Sequence, residues 1–563
     1  MYLRESKQRR ADGSTASYLQ LAENVWDPER QRSHTHVVYN CGRANDPAVV
    51  ERLRKLAASI LRRCSPEEIV GAGNGDVRLV CAWPYGEVYV LQALWQRLGI
   101  DQVIRAQARS RRLDFDVERA LFAMVANRAC APCSKLYCWE QWLKEEVHIP
   151  GTQALSLQHL YRAMDFLEAN KEPIEREIFH RVADLLNLDV EVLFYDTTSL
   201  HFEIDFDDEG GGPDDIVHGS KAAGAKAYRA PRKRGLSKNG RSDAPQIVVG
   251  LAVTREGFPV RHWVFPGNTV DVSTVAQVKR DLRDWQLTRC LFVGDAGMVS
   301  AANFQALSAG GGKFLMCMPL RRGDALTEQV LSRAGRYRTL NERLQIKKVI
   351  LGDGERRRRY VVCFNPEEAR RQQAHRRHLL DHLQAELAAL GDAAQDVQSK
   401  RVAALRTSRR WGKYLTLGDK GLQLDAQAIK AAERYDGKFI VHTNDDTLTP
   451  EDMALGYKQM IRVERAWRDM KSTLDMRPVY HWAPHRIHAH VAITVLSLLL
   501  ERTAEHACAD TWRNVSDRLR RIQLAQLSSP HGTVWQVTDP TPEAAKCLKS
   551  LQIKPPPPVL QLA

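Results

Sequence analysis

No apolar run in the sequence is long enough to cross a bilayer. The longest, Val491 to Leu500, is half of the roughly 20 residues that a spanning helix needs, so it reads as a buried helix and no membrane partner is expected. An apolar signal core is also missing, because Met1 to Arg10 is polar. The 11 cysteines lack disulfide-scaffold spacing, which predicts a reduced, cytoplasmic setting. Disorder and collagen are excluded by composition, since 44% of residues are hydrophobic and 27% charged. At roughly 150 residues per domain, a chain of 563 corresponds to three or four domains.

Other absences remove whole chemistries. Gly71-Ala72-Gly73-Asn74-Gly75-Asp76 follows no strand and lacks the Lys-Ser/Thr of a P-loop, so no nucleotide cofactor is expected. Cys130, Cys133 and Cys138 offer three thiols where a structural zinc site wants four ligands. Asp196-Thr197-Thr198 lacks the second Asp, two residues on, of an aspartyl-phosphate enzyme. His481, His485, His488 and His490 surround Pro484 and read as surface or DNA-facing residues rather than ligands.

What is in excess is positive charge. Lys and Arg number 82 against 68 Asp and Glu, a net charge of +14. Attraction to a polyanion, nucleic acid first, is one reading; a soluble protein that is merely basic is the other.

Periodicity divides the chain. Residues 1–45 read as a small antiparallel β-unit around Ala11-Asp12-Gly13, and 46–187 as a mostly helical, DNA-binding region. Residues 188–319 carry the buried strand Val190 to Tyr195, the strands Gln246 to Thr254 and Phe258 to Phe265, a helix over Asp271 to Trp285, and the strand Cys290 to Val293. The helix Ala301 to Ser308 and the strand Lys313 to Met318 complete a mixed α/β sheet. Residues 320–435 read as an α+β insertion with a long charged helical stretch, Glu367 to Leu405. Sheet texture returns in 436–505 with Lys438 to Thr443 and a helix capped by Thr449 with Pro450 at its first position. Residues 506–563 form a tail. The acidic, glycine-rich Asp205 to Asp215 and basic Lys221 to Arg241 read as a solvated loop or as a basic arm for phosphates.

Asp196 and Asp295 each follow a short apolar strand, where ligands gather in open α/β sheets, although Asp there is also a common turn residue. Tyr457, Glu464 and Lys471 are seven apart and share one stripe of a predicted helix with Met460, Ile461, Trp467 and Leu474. A carboxylate on such an inward face needs a partner, a metal or an ion pair with Arg468 at i+4.

These residues carry a resemblance. Tyr457, Glu464 and Lys471 resemble the Y-x2-R-x3-E-x6-K signature of DDE-class, RNase H-like bacterial insertion-sequence transposases of the insertion-sequence-four superfamily. Val463 to Arg468 with Arg477 to His481 resembles the branch numbered sixteen thirty-four. Tyr195 to Ser199, Ser237 to Gln246 and Val293 to Met298 resemble that family's first acidic motif, the stretch after it, and the second acidic motif. The signature's Arg falls on Met460, with Arg462 nearby as a substitute.

The resemblance implies an RNase H-like core, interrupted by the insertion, in which Asp196, Asp295 and Glu464 are catalytic and bind two Mg2+ ions, with Mn2+ as a substitute. Lys471 and Tyr457 would hold the phosphate backbone, with Arg462, Arg465, Arg468, Lys238 and Arg241 as further DNA contacts. Trp411 would stack on a flipped base, against the alternative that it packs the insertion's own core. Implied partners are terminal inverted repeats and target DNA, engaged by a homodimer in the bacterial nucleoid. The implied activity is endonucleolytic cleavage and strand transfer; a silent DNA-binding repressor or a nuclease without strand transfer are the alternatives.

Overall fold

The computed structural model describes the chain except residues 10–13, 65–77, 110, 189, 209–215, 219–226, 230, 239, 288, 321–323, 355–356, 392–394, 409, 419–420, 530–531 and 561–563. The expected turn at Ala11 to Gly13 and the break at Gly71 to Gly75 lie outside the described residues. The chain divides into two units. One holds Met1–Ala82, Leu524–Thr538 and Pro557–Ala563, and the other Trp83–Gln523 and Asp539–Pro556.

In the first unit Tyr2–Arg9, Thr15–Asp27 and Arg32–Arg43 form an antiparallel meander. The helix Pro47–Leu61 follows, its first turn capped by the Asp46 carboxylate, which accepts from Ala48 N–H. A second sheet, of four strands, orders as Val559–Leu560, Gly532–Val537, Gln523–Ser529 and Arg78–Pro84. The tail thus pairs with early chain, a long-range pairing that local periodicity does not reveal.

The second unit is built on a nine-stranded mixed sheet. Its strands in chain order are β1 Val192–His201, β2 Gln246–Val253, β3 Pro259–Pro266, β4 Leu291–Gly294, β5 Lys313–Met318, β6 Arg338–Asn341, β7 Leu344–Leu351, β8 Arg358–Phe364 and β9 Lys438–Thr443. In space they run β6-β7-β8-β9-β5-β4-β1-β2-β3, with β1, β4 and β5 parallel and the other pairings antiparallel. The centre is buried on both faces, which is why these strands are near-continuous apolar runs; every residue of β2 is buried.

Side-chain alternation assigns the faces. Phe194, Val249, Leu251, Val293, Leu315 and Val441 pack on one side with Val463, Ala466, Met470, Ile487 and Val491. Leu193, Tyr195, Val248, Phe292 and Phe314 pack on the other with Val275, Val278 and Leu282. The six helices that matter are α1 Val117–Cys130, α2 Leu157–Ala169, α3 Asp271–Asp284, α4 Pro450–Lys458, α5 Ile461–Ser472 and α6 Pro484–Cys508. Burial of α6 is almost continuous from Ala489 to Ala504, as befits a helix with protein on all sides. Among the described residues no helix is long and apolar enough to cross a membrane.

Three sequence expectations change. The stretch 320–435 is not separate from the sheet: β6, β7 and β8 extend it, and β8 pairs with β9 along Arg359–Phe364. The late helix is two helices, because Gln459 N–H turns back to the Gly456 and Tyr457 carbonyls and the buried Met460 starts α5. The histidines around Pro484 are not on the surface. His481, His485 and His490 are buried, with His485 Nε2 3.0 Å from Asp165 Oδ1 and His490 Nε2 donating to Met476 O.

Candidate active site

Asp196 does not sit at a strand end. It lies in the middle of β1, opposite Leu251 of β2, because the β-branched and hydroxyl side chains Thr197 to Ser199 extend the strand to His201. On its other flank, β1 outruns β4. The parallel register pairs Leu291, Phe292 and Val293 with Val192, Leu193 and Phe194, and β4 stops at Gly294. Two further residues at the same register bring the extended Asp295 beside Asp196, one strand spacing, about 5 Å, away. Two carboxylates thus meet where the sheet opens. Burial raises the Asp196 carboxyl above its ordinary range, and Asp295 and Asp271 push the same way against Lys238.

A cation fills the opening from within the chain. Lys238 Nζ lies 2.9 Å from Asp271 Oδ2 and 3.6 Å from Asp196 Oδ1, and donates to Thr197 O and Oγ1 at 2.8 and 2.7 Å. Thr197 in turn donates to Asp271 Oδ1 at 2.5 Å. Asp271 is the first residue of α3, where negative charge suits the positive end of the helix dipole. Gly297 lies close by, where a Cβ would sit 3.2 Å from Asp271 Oδ2, a tight approach. Sequence reading missed Asp271, having no signal beyond its place as first residue of a helix.

On the Phe194 face, Tyr457 of α4 donates its hydroxyl to Asp295 Oδ1 at 2.9 Å, its ring against Phe439 at 5.6 Å. Burial and the neighbouring Cys317 and Asp295 raise the Tyr457 hydroxyl far above its usual range, so it stays a donor. Cys317, also missed, has its thiol pushed up to about 11 by burial. Lys471 of α5 is half-buried and lies within electrostatic reach of Asp196. Burial, then Arg477 and Lys238, lower its ammonium to about 8.

The remaining candidates lie elsewhere. Glu464 is exposed, on the flank of α5 rather than its inward face, which is Val463, Ala466, Trp467 and Met470. Among the described residues no ion pair reaches it, Arg468 included, and no group of three or more His, Cys, Asp or Glu side chains is arranged to hold a metal. Arg462 and Arg465 line a cleft of about 380 Å³ with the β2–β3 loop and the end of α6. Arg465 bonds Glu505 at 3.1 Å. Arg468 is exposed. Arg241 is exposed in part and divides its charge between Glu203 and Asp243, both 3.0 Å away. Trp411 is half-buried, 5.2 Å from the His382 ring and 5.5 Å from the Arg410 guanidinium, beside a cleft of about 870 Å³ lined by Arg371, His375, Arg410 and Lys413. The acidic and basic stretches around 205–234 are pinned to each other where described: Arg232 bonds Asp208 at 2.7 Å and Arg234 bonds Asp207 at 3.1 Å.

The family model described as the transposase DDE domain matches residues 217–500, which include Asp295, Tyr457, Glu464 and Lys471 and begin after Asp196. No curated protein matches. Six solved chains match, among them a piggyBac transposase synaptic complex with hairpin DNA, at 10% identity and a TM-score of 0.34 over 77% of this chain and 79% of that one.

Proposed function

The chain belongs to the transposase DDE-domain family, and from that membership we propose that it cuts DNA at the terminal inverted repeats of a bacterial insertion sequence and joins the freed 3′-OH ends to target DNA. The element is of the insertion-sequence-four superfamily, branch sixteen thirty-four, and the core is RNase H-like. One observation carries the reading: the β1–β4 register that sets Asp196 beside Asp295, at the point where the sheet opens. Their oxygens are hard donors, and burial, with Asp295 and Asp271 adding to it, raises the Asp196 carboxyl. On the family resemblance Asp196, Asp295 and Glu464 would hold two Mg2+ ions, or Mn2+, which would activate the attacking water and neutralise charge on the phosphate; of the three, Asp196 and Asp295 stand together and Glu464 is exposed on the flank of α5.

The chain's own groups do the rest. Tyr457 fixes one Asp295 oxygen by donating its hydroxyl to it. Lys471, held near Asp196, pairs with the phosphate beside the cut. Water cuts first, and the 3′-OH it frees then attacks target DNA. A homodimer handles two ends, and the protein resides with the bacterial nucleoid.

Nicking of a DNA end in Mg2+ tests this. Asp196→Asn, Asp295→Asn and Glu464→Gln should each abolish cleavage and leave binding nearly intact; if all three still nick, the assignment is wrong. The exposure of Glu464 favours a second reading, a silent DNA-binding relative acting as repressor, in which the wild-type protein binds ends and never nicks. A nuclease without strand transfer would cut but fail to join a precut end.

A further inference from the structure

The cysteines show no scaffold spacing in the sequence, yet folding brings two of them together. Cys508 ends α6, and Cys547 lies within the later helix Pro542–Ser550. The Cys508 Sγ is 4.0 Å from the Cys547 carbonyl oxygen, and the two thiols are within hydrogen-bonding reach of each other. Both are held by packed helices rather than by a loose loop. Helix Pro542–Ser550 begins on Pro542, is capped by the Thr541 hydroxyl, which accepts from Ala544 N–H, and buries Ala544, Leu548 and the adjoining Leu551. Burial of α6 runs to Ala504, about one turn before Cys508, and the chain leaves that helix at Ala509 in left-handed backbone, φ 51°.

The two thiols differ in access. Cys547 is buried, whereas Cys508 is partly exposed and open to a small solute. Arg518 of the helix Trp512–Leu519 stands over the buried one, its Nη1 3.9 Å from Cys547 Sγ, with its charge shared with Asp510 at 2.7 Å. Burial, then Cys547, push the Cys508 thiol up to about 11. At neutral pH little of it is therefore thiolate, the form that reacts with oxidants.

We propose that Cys508 and Cys547 are an oxidation site at which a hydroperoxide joins the two sulfurs as a disulfide. The Cys508 thiolate attacks one peroxide oxygen: an S–O bond forms, the O–O bond breaks, and the departing hydroxide takes the thiol's proton to leave as water. Cys547 then attacks the sulfenic sulfur; an S–S bond forms, the S–O bond breaks, and a second water leaves with the Cys547 proton. Two electrons pass from the sulfurs to the peroxide, so two thiols and one H2O2 give one disulfide and two waters. The scarcity of Cys508 thiolate keeps the pair reduced until peroxide is abundant, as befits a cytosolic disulfide that forms only transiently. The bond closes the chain from Cys508 to Cys547, a stretch that passes through Leu524–Thr538 of the first unit before it returns to the second. It fastens helix Pro542–Ser550 to the end of α6 and restricts the unfolded chain.

The test treats the full-length reduced protein with hydrogen peroxide, alkylates the thiols that remain, and maps the monomer band of a non-reducing gel by tryptic digestion and mass spectrometry. The expected product is a peptide joining Thr503–Arg513 to Cys547–Lys549, two hydrogens lighter than its separate parts and released by dithiothreitol. An upward shift in melting temperature, reversed by dithiothreitol, should accompany it. Cys508→Ser should lose both the joined peptide and the shift, and its unchanged melting in the reduced state verifies the fold. The proposal is overturned if Cys508 is recovered alkylated, or as its sulfinic or sulfonic acid, at peroxide doses that oxidise the partly exposed Cys41 and Cys64. It is equally overturned if Cys508→Ser keeps the shift. Neither result touches the DNA-cutting reading, because no DNA enters the experiment.

Discussion

Replacing Lys238 with Met removes the cation that Asp196 and Asp271 share. At 3.6 Å, the Lys238–Asp196 attraction is about 1 kcal/mol at a dielectric of 80 and about 5 at 20. Lys238 keeps 36% of its side chain in solvent, so screening places the effect near the low end, about 1 to 2 kcal/mol. Its loss lifts the Asp196 carboxyl further. The sign of the pH dependence follows. A carboxyl whose folded pKa is raised binds its proton more tightly when folded, so its favourable contribution is complete below the unfolded value and is lost as pH rises through the folded one. Lys238→Met raises the folded value again and extends that loss to higher pH. Urea unfolding of the two proteins across acid to neutral pH should show the variant weaker by about 1 to 2 kcal/mol near neutrality, with the gap closing on acidification. A gap that stays constant with pH would mean that Lys238 acts only through packing, and a gap that widens in acid would refute the electrostatic argument altogether.

Two further outcomes follow from the same site. Lys471 carries a pKa lowered to about 8, so its contribution to DNA affinity should fade as pH rises past that value. Lys471→Arg should flatten the dependence in an anisotropy titration, because guanidinium stays charged; an unchanged profile would remove Lys471 from the contact. Tyr457→Phe deletes the donor to Asp295 Oδ1, a hydrogen bond to a charged group worth about 1.5 to 3 kcal/mol. Cleavage should fall roughly tenfold to 150-fold, and wild-type rates in the variant would show that the hydroxyl does not orient Asp295.

Much of the sheet was legible because fully buried strands must be apolar runs. Lys313–Met318 and Lys438–Thr443 fall where the pattern puts them, and the Thr449 cap with Pro450 behind it starts α4 as expected. Long-range pairing was not legible. Nothing local in Arg358–Phe364 says that it continues the sheet rather than forming its own domain, and nothing in Arg78–Pro84 says that the tail pairs with it. At the site, spacing of seven identified a helical stripe but could not register the turn at Gln459, which gives Tyr457 and Glu464 different helices and different surroundings. Asp271 was invisible for a related reason: its role comes from Thr197 and Lys238, which are close only after folding.

The pairing of β9 also has a temporal side. Strand β9 lies between β8 and β5 and satisfies both, so during synthesis β5 presents an unpaired edge until everything from Pro319 to Gly437 has been made. The parallel trio carrying Asp196 and Asp295 can form early, but its flank stays adhesive to other strands throughout that delay. Excising the intervening segment as if it were a removable cassette would free the β8 side of β9 for good, so the cost of such a deletion would be paid in solubility before it was seen in catalysis.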